Sequence, residues 1–93
     1  KVKGHELHRL QGLNHLRELH LSSLDVSDAD VKDLTELKEL RYLDLSVTQI
    51  TDKALEVVER FPNIQLLNVQ QTAVTDKEVE RLRNAVEDLK VFH

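Results

Sequence analysis

The chain contains no cysteine, methionine or tryptophan, and only one proline, one tyrosine and two glycines among its 93 residues. Without cysteine there is no disulfide framework and no thiolate metal site. That absence fits any redox compartment, and a cytoplasmic location is the simplest expectation. Aromatic residues amount to 3%, so aliphatic side chains must build the core. No apolar run reaches the roughly 18 residues a membrane span needs, and no signal peptide is visible; no membrane partner is expected. The first residue is Lys1 and not Met, which leaves room for an upstream segment. Positive charge is also short. The formal net charge is −4, which argues against nucleic acid as a ligand, because backbone phosphates need a basic footprint.

What is present suits a globular protein in water: 40% apolar and 32% charged residues, in a length that makes one domain with a real core. The dominant feature is a phrase that returns. Residues 19–28 read LHLSSLDVSD, 43–52 read LDLSVTQITD and 67–76 read LNVQQTAVTD. Leu16, Leu40 and Ile64 open equivalent blocks 24 residues apart. L-x-x-L-x-L stands at Leu16/Leu19/Leu21 and Leu40/Leu43/Leu45, and its third copy is Ile64/Leu67/Val69. A fourth, partial copy fits Leu89 and Phe92, one residue later than strict spacing. Upstream, HELHRL at 5–10 lies one period before ADVKDL at 29–34 and reads as the helical half of a unit.

Within each unit the hydrophobic period switches. Leu19/Leu21, Leu43/Leu45 and Leu67/Val69 alternate with polar residues, as in a short strand. Val31/Leu34/Leu37, Leu55/Val58/Phe61 and Val79/Leu82/Val86 then recur at helical spacing. Ser27-Asp28, Thr51-Asp52 and Thr75-Asp76 mark the helix starts. The hydroxyl can cap a free backbone N–H, and the Asp favours the positive helix end. Thr75 with Glu78 fits a capping box, and Pro62-Asn63 ends the second helical stretch. No unit can bury its apolar side alone, whereas stacked units can. Strands pack ~4.8 Å apart and helices ~8–10 Å, so the sheet lies on the inner side of an arc. The expected fold is α/β: a single domain over 1–93, with a partial repeat at 1–15, full repeats at 16–39, 40–63 and 64–88, and a partial strand at 89–93.

These residues resemble the leucine-rich repeat family, whose units run roughly 20–29 residues. The phrase LDLSVTQITDKALEVV is similar to the ribonuclease-inhibitor-like and F-box-associated subclasses and to comparable bacterial repeats. Those subclasses often carry Asn or Cys where the strand turns away. Here Thr48 and Thr72 take that place and Leu24 has no polar atom there, so a side-chain ladder along that row should be weak or interrupted. The resemblance implies a right-handed βα horseshoe and a protein-binding scaffold that uses its concave sheet. It implies no enzymatic activity and no cofactor.

Alternation places Glu18, Tyr42, Leu66 and Val91 in one concave row, and His20, Asp44, Asn68 and His93 in the next. Ser22, Ser46 and Gln70 form a third, and Arg17, Arg41, Gln65 and Lys90 stand near the strand starts. Tyr42, Leu66 and Val91 form an apolar strip where the pattern expects solvent. Such a strip suits a protein partner, although Tyr and Val also simply favour strands. Glu18, His20, Asp44, Asn68, Arg17 and Arg41 would set its polarity, over at most ~800 Å² per partner.

His20, Asp44 and Ser22 include the side chains of a nucleophile–base–orienter trio, but residues i and i+2 of a strand stand ~6.5–7 Å apart, beyond the ~3 Å a base needs. A surface ion pair between His20 and Asp44 is the expectation there. His5, His8, His15 and His20 lack the carboxylate or thiol spacing of a zinc site. Asp25, Asp28, Asp30 and Asp33 lack a glycine-containing calcium loop and read as dipole compensation. Both ends of the sheet would expose unpaired backbone, so the expectation is an excerpt from a longer array or a very small stand-alone domain, with a homo-oligomer joined through open edges as the alternative.

Overall fold

A computed structural model describes residues 15–93. The sequence-based helix at 5–10, with His5 and His8, lies outside the described residues, as does nearly all of the partial repeat at 1–15. Among the described residues four three-residue strands alternate with three helices: β1 (Glu18–His20), α1 (Asp28–Lys32), β2 (Tyr42–Asp44), α2 (Asp52–Val58), β3 (Leu66–Asn68), α3 (Asp76–Ala85) and β4 (Lys90–Phe92). The strands form one parallel sheet in chain order. Each strand–helix–strand passage thus advances the chain by one position along the stack.

The register follows the repeat. Leu19 pairs with Leu43 and Leu43 with Leu67. The fourth strand keeps the same spacing, with Leu66 opposite Lys90, Leu67 opposite Val91 and Asn68 opposite Phe92. The one-residue delay expected from Leu89 and Phe92 is therefore absent from the ladder. It is absorbed just before β4, where Asp88 adopts a left-handed φ of 64°. Leu89 is buried there, two residues ahead of the buried Val91, instead of three as in the earlier units.

The core is an aliphatic column between sheet and helices. Leu43 and Leu67 enter from the strands and Leu45 and Val69 from the residue just after each; Val31, Leu55, Val58, Val79 and Leu82 enter from the helices. Leu34, Leu37 and Leu40 are wholly buried yet follow α1, which ends at Lys32. There Leu34, Leu37 and Leu40 each donate their N–H to the carbonyl three residues back, on Val31, Leu34 and Leu37. A strict spacing of three suits such tight turns. Only the 79/82/86 spacing, which mixes three and four, accompanies a ten-residue α-helix.

Two further contacts hold the units in step. At the outer corner, Asp28 Oδ1 accepts from the Thr51 N–H at 2.7 Å and Oδ2 from its hydroxyl at 2.6 Å. Asp52 grips Thr75 in the same way, at 2.7 and 2.9 Å. Each Asp thus holds the helix cap of the following unit, a role beyond dipole compensation. Where the strand turns away, Thr48 and Thr72 donate to the carbonyls of Leu45 and Val69, both at 2.6 Å. Those hydroxyls serve their own unit, so no side-chain ladder runs along that row. Backbone bonds link it instead, from Gln49 N–H to Val26 O and from Ala73 N–H to Ile50 O.

The cap residues sit where the sequence places them. Thr51 accepts from the Lys53 N–H and Thr75 from the Glu78 N–H. The acidic side chain that reaches back is Asp30, which takes both the N–H and the hydroxyl of Ser27; the Glu78 carboxylate instead meets Arg81.

Candidate concave binding surface

Parity along each strand fixes the face. Leu19, Leu43, Leu67 and Val91 occupy one column directed at the helices, and the residues on either side of them face the open concavity. Val91 is only 6% exposed, which removes it from the expected surface strip: it belongs to the core column. The concave columns are Glu18, Tyr42, Leu66, Lys90 and His20, Asp44, Asn68, Phe92. Phe92 is 48% exposed and replaces His93 in the second column. Sequence reasoning put Lys90 one row too early, with Arg17 and Arg41, and missed Phe92 as a concave residue, although adding 48 to Tyr42 and Asp44 reaches both.

Tyr42 and Leu66 are adjacent, in register and half-buried. The His20 imidazole stands edge-on to the Tyr42 ring, with centroids 4.8 Å apart and planes at 79°, a favourable aromatic geometry. Its ion-pair partner is Glu18, with Nε2 3.3 Å from Oε1. The expected His20–Asp44 pair is not formed, because Asp44 Oδ1 accepts from the N–H and hydroxyl of Ser46, at 3.0 and 2.7 Å. The Ser22 hydroxyl lies 2.9 Å from the same Ser46 oxygen and donates to it. Asn68 Oδ1 similarly accepts from the Gln70 N–H. Both side chains brace the turn that leaves their strand.

Burial raises the Tyr42 phenol above its ordinary pKa of 10.0, with Asp44 and then Glu18 adding to the rise. Arg17 and Arg41 stand at the strand starts, where the Arg17 carbonyl accepts from the N–H groups of Arg41 and Tyr42. Their side chains line one rim of an open basin of about 620 Å³, floored by Tyr42 and Leu66, with Asp88 and Lys90 across from them.

No trio of catalytic geometry accompanies these groups: Ser22 meets Ser46 and His20 meets Glu18. His15, His20 and His93 each face a different carboxylate, on Glu39, Glu18 and Asp76. Among the described residues no three His, Asp or Glu side chains converge as metal ligands, and no helix is long and apolar enough to cross a membrane.

A parallel sheet of one strand per 24-residue unit, backed by helices over a leucine column, is the leucine-rich repeat solenoid. Solved structures share it. An internalin from Listeria monocytogenes superposes with a TM-score of 0.75 at 24% identity, over 91% of this chain and 24% of the internalin chain. A leucine-rich repeat protein of Leptospira interrogans superposes with a TM-score of 0.59 at 21% identity, over 92% of this chain and 27% of that one. The chain thus spans about a quarter of the length of either. No family model matches it, and no curated protein sequence matches it.

Proposed function

We propose that the chain is a non-catalytic scaffold that binds a protein partner through its concave sheet. The observation that carries this reading is the pairing of Tyr42 with Leu66. Two large side chains stand half-exposed in adjacent, in-register positions at the centre of the sheet, where alternation would ordinarily place small polar groups. Phe92 extends the apolar area at the edge, and Glu18, His20, Asp44, Asn68, Arg17 and Arg41 form its polar surround. An aromatic anchor beside an aliphatic one, inside a polar rim, is the usual make-up of an energetic centre in protein recognition. Capture from native extract on immobilised wild type, compared with a Tyr42→Ala/Leu66→Ala variant, supplies the partner. Tyr42→Ala should then weaken its binding by more than ~1 kcal/mol while leaving the thermal transition in place. Unchanged affinity would place the interface elsewhere.

A second reading has its own observation. Asp76 occupies the position from which Asp28 and Asp52 grip the next cap, and its side chain is 92% exposed, meeting among the described residues only the His93 imidazole, at 3.2 Å. That end of the stack therefore offers the groups that join one unit to the next, and a further repeat or a second copy could add there. Sedimentation over a wide concentration range tests the second copy. A single monomeric species throughout ends that version.

A further inference from the structure

Resting on the concave-face reading, we propose that the basin accepts an extended acidic segment of the partner protein. Its carboxylates would lie against Arg17 and Arg41, and its apolar side chains on Tyr42 and Leu66. Arg17 and Arg41 occupy equivalent positions on neighbouring strands, 24 residues apart, and are tied there by the 2.8 Å bond from the Arg41 N–H to the Arg17 carbonyl. Like charges side by side across a sheet repel. On α3 the arginines are matched: Arg81 lies between Glu59 and Glu78, and Arg83 meets Glu80. Among the described residues no ion pair involves Arg17, Arg41 or Lys90.

Lys90, opposite Leu66, brings a third cation to the same basin. Of the two carboxylates in the lining, Glu18 is engaged by His20, and Asp88 forms no ion pair among the described residues. Three cations against two carboxylates leave the basin one net positive charge in a chain whose formal net charge is −4. Paired guanidinium forks suit carboxylates, which they can bind with two parallel hydrogen bonds. Nucleic acid fits less well, because a long polyanion would be repelled by the acidic remainder and leave the apolar floor unused.

Fluorescence anisotropy with three labelled decapeptides tests this. All carry Leu and Phe at alternate positions; the others are Asp/Glu, Asn/Gln or Lys. The acidic peptide should bind at least ~10-fold tighter than its Asn/Gln counterpart at ~50 mM salt and lose most of that advantage by ~200 mM. Arg17→Glu/Arg41→Glu should abolish the acidic preference, and Arg17→Gln/Arg41→Gln should reduce it. Circular dichroism should stay unchanged, since both side chains are exposed. Equal affinity for acidic and neutral peptides, a preference that survives charge reversal, or no peptide binding overturns the assignment. So does tighter binding of a single-stranded oligonucleotide than of the acidic peptide. If Tyr42→Ala weakens binding while charge reversal does not, the acidic ligand is refuted and the concave interface stands. If Tyr42→Ala changes nothing, the concave interface itself fails.

Discussion

Replacing Asp28 by alanine removes both hydrogen bonds that reach across to the next unit, the 2.7 Å bond from the Thr51 N–H and the 2.6 Å bond from its hydroxyl. A hydrogen bond to a charged group contributes ~1.5–3 kcal/mol when buried. The contact here is only part-buried, and water can partly replace the lost acceptor, so about 2 kcal/mol for the pair is the reasonable total. Loss of the negative charge in the first turn of α1 adds ~0.3–1 kcal/mol. With a urea m-value of ~1–1.5 kcal/mol/M for a chain of this size, the midpoint should fall by about 1.5–3 M, and Tm by roughly 9–24 °C.

Units of a solenoid are coupled through nearest-neighbour interfaces, so weakening one of them should also broaden the urea transition. Asp52→Ala breaks the equivalent contact to Thr75 at a more exposed site and should cost less. A double-mutant cycle between Asp28→Ala and Thr51→Val isolates the hydroxyl contribution. A midpoint shift below ~0.3 M, or a coupling below ~0.3 kcal/mol in that cycle, would refute the assignment of this contact as an interface between units.

Val47 is β-branched, 44% exposed and held at φ 55°, where a branched side chain is strained. Val47→Gly should therefore raise stability by ~1 kcal/mol, measured by the same urea transition, against the usual cost of adding a glycine. The chain's one tyrosine makes phenol absorbance a site-specific titration of Tyr42. Its pKa should lie above 10.0 through burial and the charges of Asp44 and Glu18, and Asp44→Asn should lower it. Because the folded pKa is the raised one, its stabilising contribution is complete below the unfolded value of 10.0 and is lost as pH climbs through the folded value.

Most of the architecture was legible because one constraint recurs. A unit must present an aliphatic column to its neighbours, and that column writes the 24-residue spacing into the sequence. It also gave the right partners for Tyr42 and Leu66. The surface strip was misread at its last member, where the leucine pattern slides by one at Leu89 while the backbone ladder does not. Hydrogen bonds between strands, and not the apolar pattern, decide which side Val91 takes. The grip of Asp28 on Thr51 was hidden for another reason. Its two residues are 23 apart, and a Ser/Thr-Asp helix start accounts fully for both without any partner. Only the position of one unit above the next reveals the second use. Asp44 shows the converse: register puts it beside His20, but a nearer N–H and hydroxyl on Ser46 claim its oxygen first.

Three left-handed corners fall at Ser23, Val47 and Gln71, in step with the Asp–Thr contacts at two seams. Excising residues 40–63 as a block would set Asp28 before Thr75 at the same 23-residue separation and keep each remaining corner in place. The molecule should accordingly tolerate being shortened or lengthened by whole modules, while a change of even one residue within a module would throw both seams out of phase.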